Sequence, residues 1–165
     1  MLSIAITGAD ALTAKLDELP PTILAAVAAS SASLAEQLAT LVHTKLTGGV
    51  LQARTGALAG SVVIDGARID GERVVVGISA GGDLKYAAIQ EYGGTTSPHE
   101  ILPSRARALA FLAGGGEAFA RRVRHPGSHI PARSYLRASL AELAAEIDSA
   151  MKAAVIDAVR TRMGA

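Results

Sequence analysis

The rhythm of apolar and polar positions changes several times along this chain, and each change marks an element. "LSIAIT" sets Leu2, Ile4 and Ile6 against small partners, which suits a short strand that Gly8 ends. A turn or two of helix follows over Ala9–Leu19. Pro20-Pro21 interrupts the pattern, and Pro21 suits the first position of a new helix, where its missing N–H would have no partner anyway. Ile23, Val27, Leu34, Leu38, Leu41 and Lys45 then recur at three- and four-residue steps, which predicts one long amphipathic helix to about Leu46, stopped by Thr47-Gly48-Gly49. His43 lies beside that stripe as a boundary histidine.

The period then shortens to two. In "SVVIDGARIDGERVVVGIS" two Val/Ile-rich runs flank Asp70-Gly71, a dipeptide suited to a two-residue hairpin turn, and Gly66 marks a bulge. Val74, Val76 and Ile78 share one face of the returning strand. "DLKYAAIQEYG" gives a short helix closed by Gly93-Gly94, and a polar stretch runs from there to Ala106. "ALAFL" and "EAFARRV" form a second hairpin around Gly114-Gly115-Gly116, and "HPGSHIPARS" is another structured loop. Leu136, Leu140, Leu143, Ile147, Ala150, Ala154 and Val159 form the stripe of a last helix, with Ser134 as its N-cap. The order predicts an α+β fold: one domain over residues 1–165, a small antiparallel sheet packed by long N-terminal and C-terminal helices, and a long extended loop.

Half of the 165 residues are apolar but only 3% are aromatic and Trp is absent, so the core is expected to be aliphatic, with close helix contacts. A net charge of +1 provides no molecule-wide field for a polyanion, and any such partner must be met locally. The absence of Cys excludes disulfides and thiol catalysis. No uninterrupted apolar run reaches membrane-spanning length, and the N-terminus has no basic start, so the expectation is a soluble chain, used without export and without a membrane partner.

Catalytic candidates are His99, His125, His129, Glu91, Glu100 and Glu117. The four-residue step from His125 to His129 would suit a helical metal pair, but Pro126 and Gly127 remove the helix. "GGGE" lacks the ending of a phosphate loop, and no Gly-x-Ser-x-Gly elbow occurs. The expectation is a protein without catalysis, cofactor or metal. Arg105, Arg107, Arg121, Arg122, Arg124, Arg133 and Arg137 crowd one third of the chain, facing only Glu100 and Glu117. They make either a contact with DNA phosphates or an acidic subunit, or a solvated strand edge whose charge deters unwanted pairing.

Four segments in order, "RTGALAGSV", "YAAIQEYGG", "ILPSRARALAF" and "VRHPGSHIPARSYLRASL", resemble the tail-component and virion-morphogenesis proteins of long-tailed bacteriophages, small head–tail junction or tail-completion proteins. Thr55, Gly56, Leu58 and Ser61 match a family turn, Tyr86, Ala87, Glu91, Tyr92 and Gly93 a family helix, and "PARSYL" stands where the family has an Arg-Pro-Phe-Leu pattern. The resemblance implies a structural virion protein, assembled in the bacterial cytoplasm. It implies a homo-oligomeric ring, commonly six-fold, that docks between the head connector and the tail terminator or tail tube; the arginine-rich face gives the rival role, non-specific contact with DNA in the lumen.

All five aromatics, Tyr86, Tyr92, Phe111, Phe119 and Tyr135, cluster around the two loops, either as anchors for a neighbour or as parts of a small core. A polar loop of this length is functional or disordered, so residues 93–106 are expected to form an arm, rooted by Tyr92 and Phe111, that lies on an adjacent copy or on a neighbouring neck or tail component. The expected interface comprises Tyr92, Gly93, Thr95, His99, Ile101, Pro103, Arg105, Arg107, Arg121, Arg122, Arg124, His125, Arg133 and Tyr135.

Overall fold

Two prolines are tolerated in the longest N-terminal helix because they fall in its first turn, where backbone N–H groups have no intrahelical acceptor. The computed structural model of the protein describes residues 9–164 and shows α1 (Ala9–Asp17) and α2 (Leu19–Thr44) separated at Glu18. The break therefore precedes Pro20-Pro21, and α2 begins two residues before the expected start. The strand expected over Leu2–Thr7 lies outside the described residues. A π-helical turn, Lys45–Gly49, ends the helical run, and Gly48 leaves the helical conformation there.

The described chain divides into two compact units where the sequence reads as one domain. The first comprises the described residues up to Ala87 together with those from Ser134 onward, and the second is Ala88–Arg133. As expected, the fold is α+β, with long N-terminal and C-terminal helices and a small antiparallel sheet.

In the first unit α2 lies antiparallel to α5 (Leu136–Met163), as three pairings along their length require: Lys45 with Glu142 at 2.7 Å, the Ser31 hydroxyl donating to Met151 Sδ at 3.8 Å, and Arg162 with Glu18. The inward face of α2 drifts from the expected stripe. Val42 and, in the π-helical turn that follows, Leu46 are the deepest residues near its C-terminal end, while Leu41 and Lys45 are only half-buried. His43 is exposed, as a boundary residue should be. On α5, Ser139, Leu143 and Ala158 are buried, whereas Leu140, placed in the inward stripe by the sequence pattern, is half exposed. Tyr135 takes the cap position one residue beyond the expected Ser134, and Gly164, left-handed at φ 77°, closes the helix by donating to Arg160 O.

Helix α2 packs on the hairpin β1 (Val63–Asp70) and β2 (Arg73–Ser79). Asp70 pairs with Arg73, so the two turn residues are Gly71-Glu72, one step later than expected, with the positive φ on Gly71 alone. Gly66 does mark a bulge, because the register shifts between Asp65 and Arg68. By length and composition the helical stretch Thr13–Gly49 is apolar enough to cross a membrane, although the sequence shows no unbroken apolar run of that length. Here its Leu34, Ala35 and Val42 are buried, and α2 packs on α5 and the hairpin.

The motif "RTGALAGS" serves this core. Gly56, at φ 72°, turns the chain into the single helical turn α3 (Ala57–Gly60), whose Leu58 and Ala59 join Val42, Leu46, Ala87 and Tyr135 in the buried cluster. The Ser61 hydroxyl donates to Leu58 O at 2.7 Å and accepts from Gly81 N–H at 2.8 Å, tying this turn to the end of β2.

Candidate functional site

The second unit contains little that could make a core, and its backbone pairing does most of the holding. It begins within α4 (Ala87–Tyr92), which ends as expected at a left-handed Gly93. There follow β3 (Gly94–Thr95), β4 (His99–Ile101), β5 (Leu109–Ala113), β6 (Gly116–Ala120), β7 (Val123–His125) and β8 (His129–Ile130). Among the described residues, β3 pairs with β8, β4 with β7 and β5 with β6, all antiparallel. The stretch 93–106 is thus no free arm: its first half zips against 123–130.

Close backbone approach explains the glycines there. A Cβ on Gly127 would run into the carbonyl oxygen of Thr96, and one on Gly93 would sit 2.7 Å from the Ala132 nitrogen. Thr96 N–H donates to Ser128 O at 2.9 Å, and Ser128 N–H returns a bond to Thr96 Oγ1 at 2.8 Å. Arg133 N–H donates to Gln90 O at 2.7 Å, which ties the end of the ribbon to α4.

His99 and His125 sit opposite each other across β4 and β7, their rings stacked with centroids 5.0 Å apart. His125 Nδ1 accepts the Gly127 N–H at 3.0 Å, which uses one nitrogen of that ring to shape the bend. His129 lies on β8, paired with Thr95. No group of three or more metal-ligating side chains converges among the described residues.

The arginines are exposed. Arg105 and Arg107 lie between β4 and β5, Arg121 and Arg122 between β6 and β7, and Arg124 on β7 opposite Glu100. Arg122 approaches Glu100 at 3.6 Å with both side chains in solvent, a pair of little energetic weight. Residues 88–133 hold six arginines against three glutamates, of which Glu91 is buried. The unit is positive while the whole chain is nearly neutral.

The β5–β6 hairpin has an unusual surface. Gly114 and Gly115, with φ of 60° and 83°, supply the two positive angles of a type I′ turn. Cross-strand pairs place Leu109, Phe111, Ala113, Ala118 and Ala120 on one face, and Ala110, Leu112, Glu117 and Phe119 on the other. Leu112 is 85% exposed and Phe119 68%. A lone two-stranded hairpin is marginally stable in water, and this one is apolar on one face and carries a single charge, Glu117, on the other.

The expected interface residues divide between these features. Tyr92, Thr95, His99, Ile101, Arg105, Arg107, Arg121, Arg122, Arg124 and Arg133 are exposed, and Gly93, Pro103 and His125 are half-buried along the ribbon and loops. Tyr135 is not at a surface: it is 1% exposed in the core of the first unit, where its hydroxyl donates to Ala87 O at 3.3 Å. Leu112 was missed by sequence reasoning, although the lack of polar alternation in "ALAFLAGGGEAFA" signals a hairpin with apolar side chains on both faces and Glu117 as its one charge. Comparison with family models, with curated proteins and with solved structures finds no significant match.

Proposed function

We propose that this protein is a structural subunit of the head–tail junction of a long-tailed phage, working without catalysis or cofactor by assembling into a ring. The observation that carries the reading is the exposed apolar β5–β6 hairpin, flanked in sequence by arginines on both sides. An apolar surface rimmed by polar groups marks a protein contact more often than a substrate site. The four motifs in family order supply the phage context, and a six-fold ring docking between connector and tail is what that resemblance implies. Head-to-tail rings need two unlike patches per subunit.

Native mass spectrometry and negative-stain imaging of the full chain test this. Closed rings are expected at micromolar concentration, and addition of the protein is expected to restore tail joining in extracts of a phage lacking it. A chain that stays monomeric throughout would end the proposal.

The exposed Arg105, Arg107, Arg121, Arg122 and Arg124 favour one second reading, contact with DNA in the ring lumen. DNA affinity that falls steeply with salt, one counterion for about each phosphate neutralised, would support it. Affinity unchanged by salt would remove it.

A further inference from the structure

The first unit contains an apolar slot of about 160 Å³ where α2, α5 and β2 meet. Its walls are Leu34 and Leu38, Val76 and Ile78, and Ile147 and Met151, while the small residues Ser31, Ala35 and Gly77 leave it unfilled. Leu140, half exposed, stands at its mouth. A dry, aliphatic cavity of about 150 Å³ is enough to accept a benzene ring. The slot is therefore the size of one phenyl group.

Among the described residues, the second unit carries such a group largely uncovered. Phe119 and Leu112 are diagonal neighbours on the exposed face of the β5–β6 hairpin and form a two-residue apolar knob, with the Glu117 carboxylate, cross-strand from Leu112, at its edge. Charge favours the same match. Residues 88–133 are net positive, six Arg against three Glu, while residues 1–87 and 134–165 hold ten Lys and Arg against twelve Asp and Glu. The two units carry net charge of opposite sign, so the second unit of one copy is attracted to the first unit of another.

We infer that the occupant of the slot is a second copy of this chain: the Phe119–Leu112 knob of one subunit inserts into the α2–α5–β2 slot of the next. The contact is heterologous, so its repetition generates a ring or a filament. This rests on the ring reading above and specifies which surfaces make the ring.

The test uses two full-length variants, each changed at a solvent-accessible position. Phe119→Asp removes the knob and Leu140→Glu charges the mouth of the slot, and circular dichroism checks that both keep their helices. Each alone should associate about 30-fold or more weakly than the parent, the scale of losing one buried aromatic anchor. Mixed in equal amounts, they should form a dimer and nothing larger, because one intact knob still meets one intact slot.

If both variants still form rings, the pairing is wrong and the ring reading stands. If the parent chain itself never associates, both fall. Rings lost in each variant but no dimer in the mixture would show that the two surfaces do not meet, and so overturn the pairing. Rings lost only with Leu140→Glu would mean that another segment fills the slot, and a chain lacking residues 1–8 would show whether that segment is its own N-terminus.

Discussion

The two units solve the problem of staying folded by opposite means. The first buries aliphatic side chains between two long helices and a hairpin, with Val42 at 0% and Tyr135 at 1% exposure. The second relies on four short paired strands, one isolated hairpin, and glycines that let backbones touch. Side-chain burial tolerates variation in the backbone but not the loss of volume. Backbone pairing with open surfaces has the reverse sensitivity, and it leaves apolar side chains available to another molecule.

The largest effect that would sharpen this contrast is Tyr135→Ala. Removing a fully buried ring and its bond to Ala87 O should cost about 3–5 kcal/mol, read as a lower midpoint in urea unfolding followed by helix signal. A loss below about 1 kcal/mol would show that the core is not centred there. Gly127→Ala comes next. Its φ of 93° and the neighbouring Thr96 carbonyl leave no room for a methyl group, so strain of about 1–3 kcal/mol is expected. Amide exchange should quicken at Thr96, His99–Ile101 and Val123–His125 while α2 and α5 keep their protection; equal loss in both would erase the distinction between the units. Smallest is Lys45→Met. Its ion pair with Glu142 is short, but Glu142 is more than half exposed, so solvent screening holds the expected loss below about 1 kcal/mol. A larger loss would mean that the helix pair depends on charge as well as on burial.

The same contrast explains what could be read from residues alone. Helix and hairpin positions in the first unit follow from local period, since a 3.6- or 2-residue pattern reports which face is buried. The pattern lost precision where the helix changed pitch: the π-helical turn at Lys45–Gly49 and the bundle contact moved the deepest positions to Val42 and Leu46. The turn slipped from Asp70-Gly71 to Gly71-Glu72 because the register is set by the whole strand pair and not by one dipeptide.

In the second unit the pairing of 94–101 with 123–130 was not legible. Two polar segments separated by more than twenty residues carry no periodic signal of their partnership, and Pro98 and Pro126 disguise both as loops. Of the expected interface, the arginines could be placed from composition because charge stays at surfaces. Tyr135 was misplaced because an aromatic beside a loop looks the same whether it points in or out. Its hydrogen bond to Ala87 is visible only in three dimensions.

That bond has one more implication. Ala87 and Tyr135, the last residue of the core before the 46-residue excursion and one of the first after it, stand within a tyrosine's length of each other. The excursion leaves and returns through a single gateway, so bridging 87 to 134 with a brief linker demands little closure entropy. Such a truncated miniature would keep its helices, and variants with longer or shorter excursions can be grafted at the same seam without redesigning the scaffold.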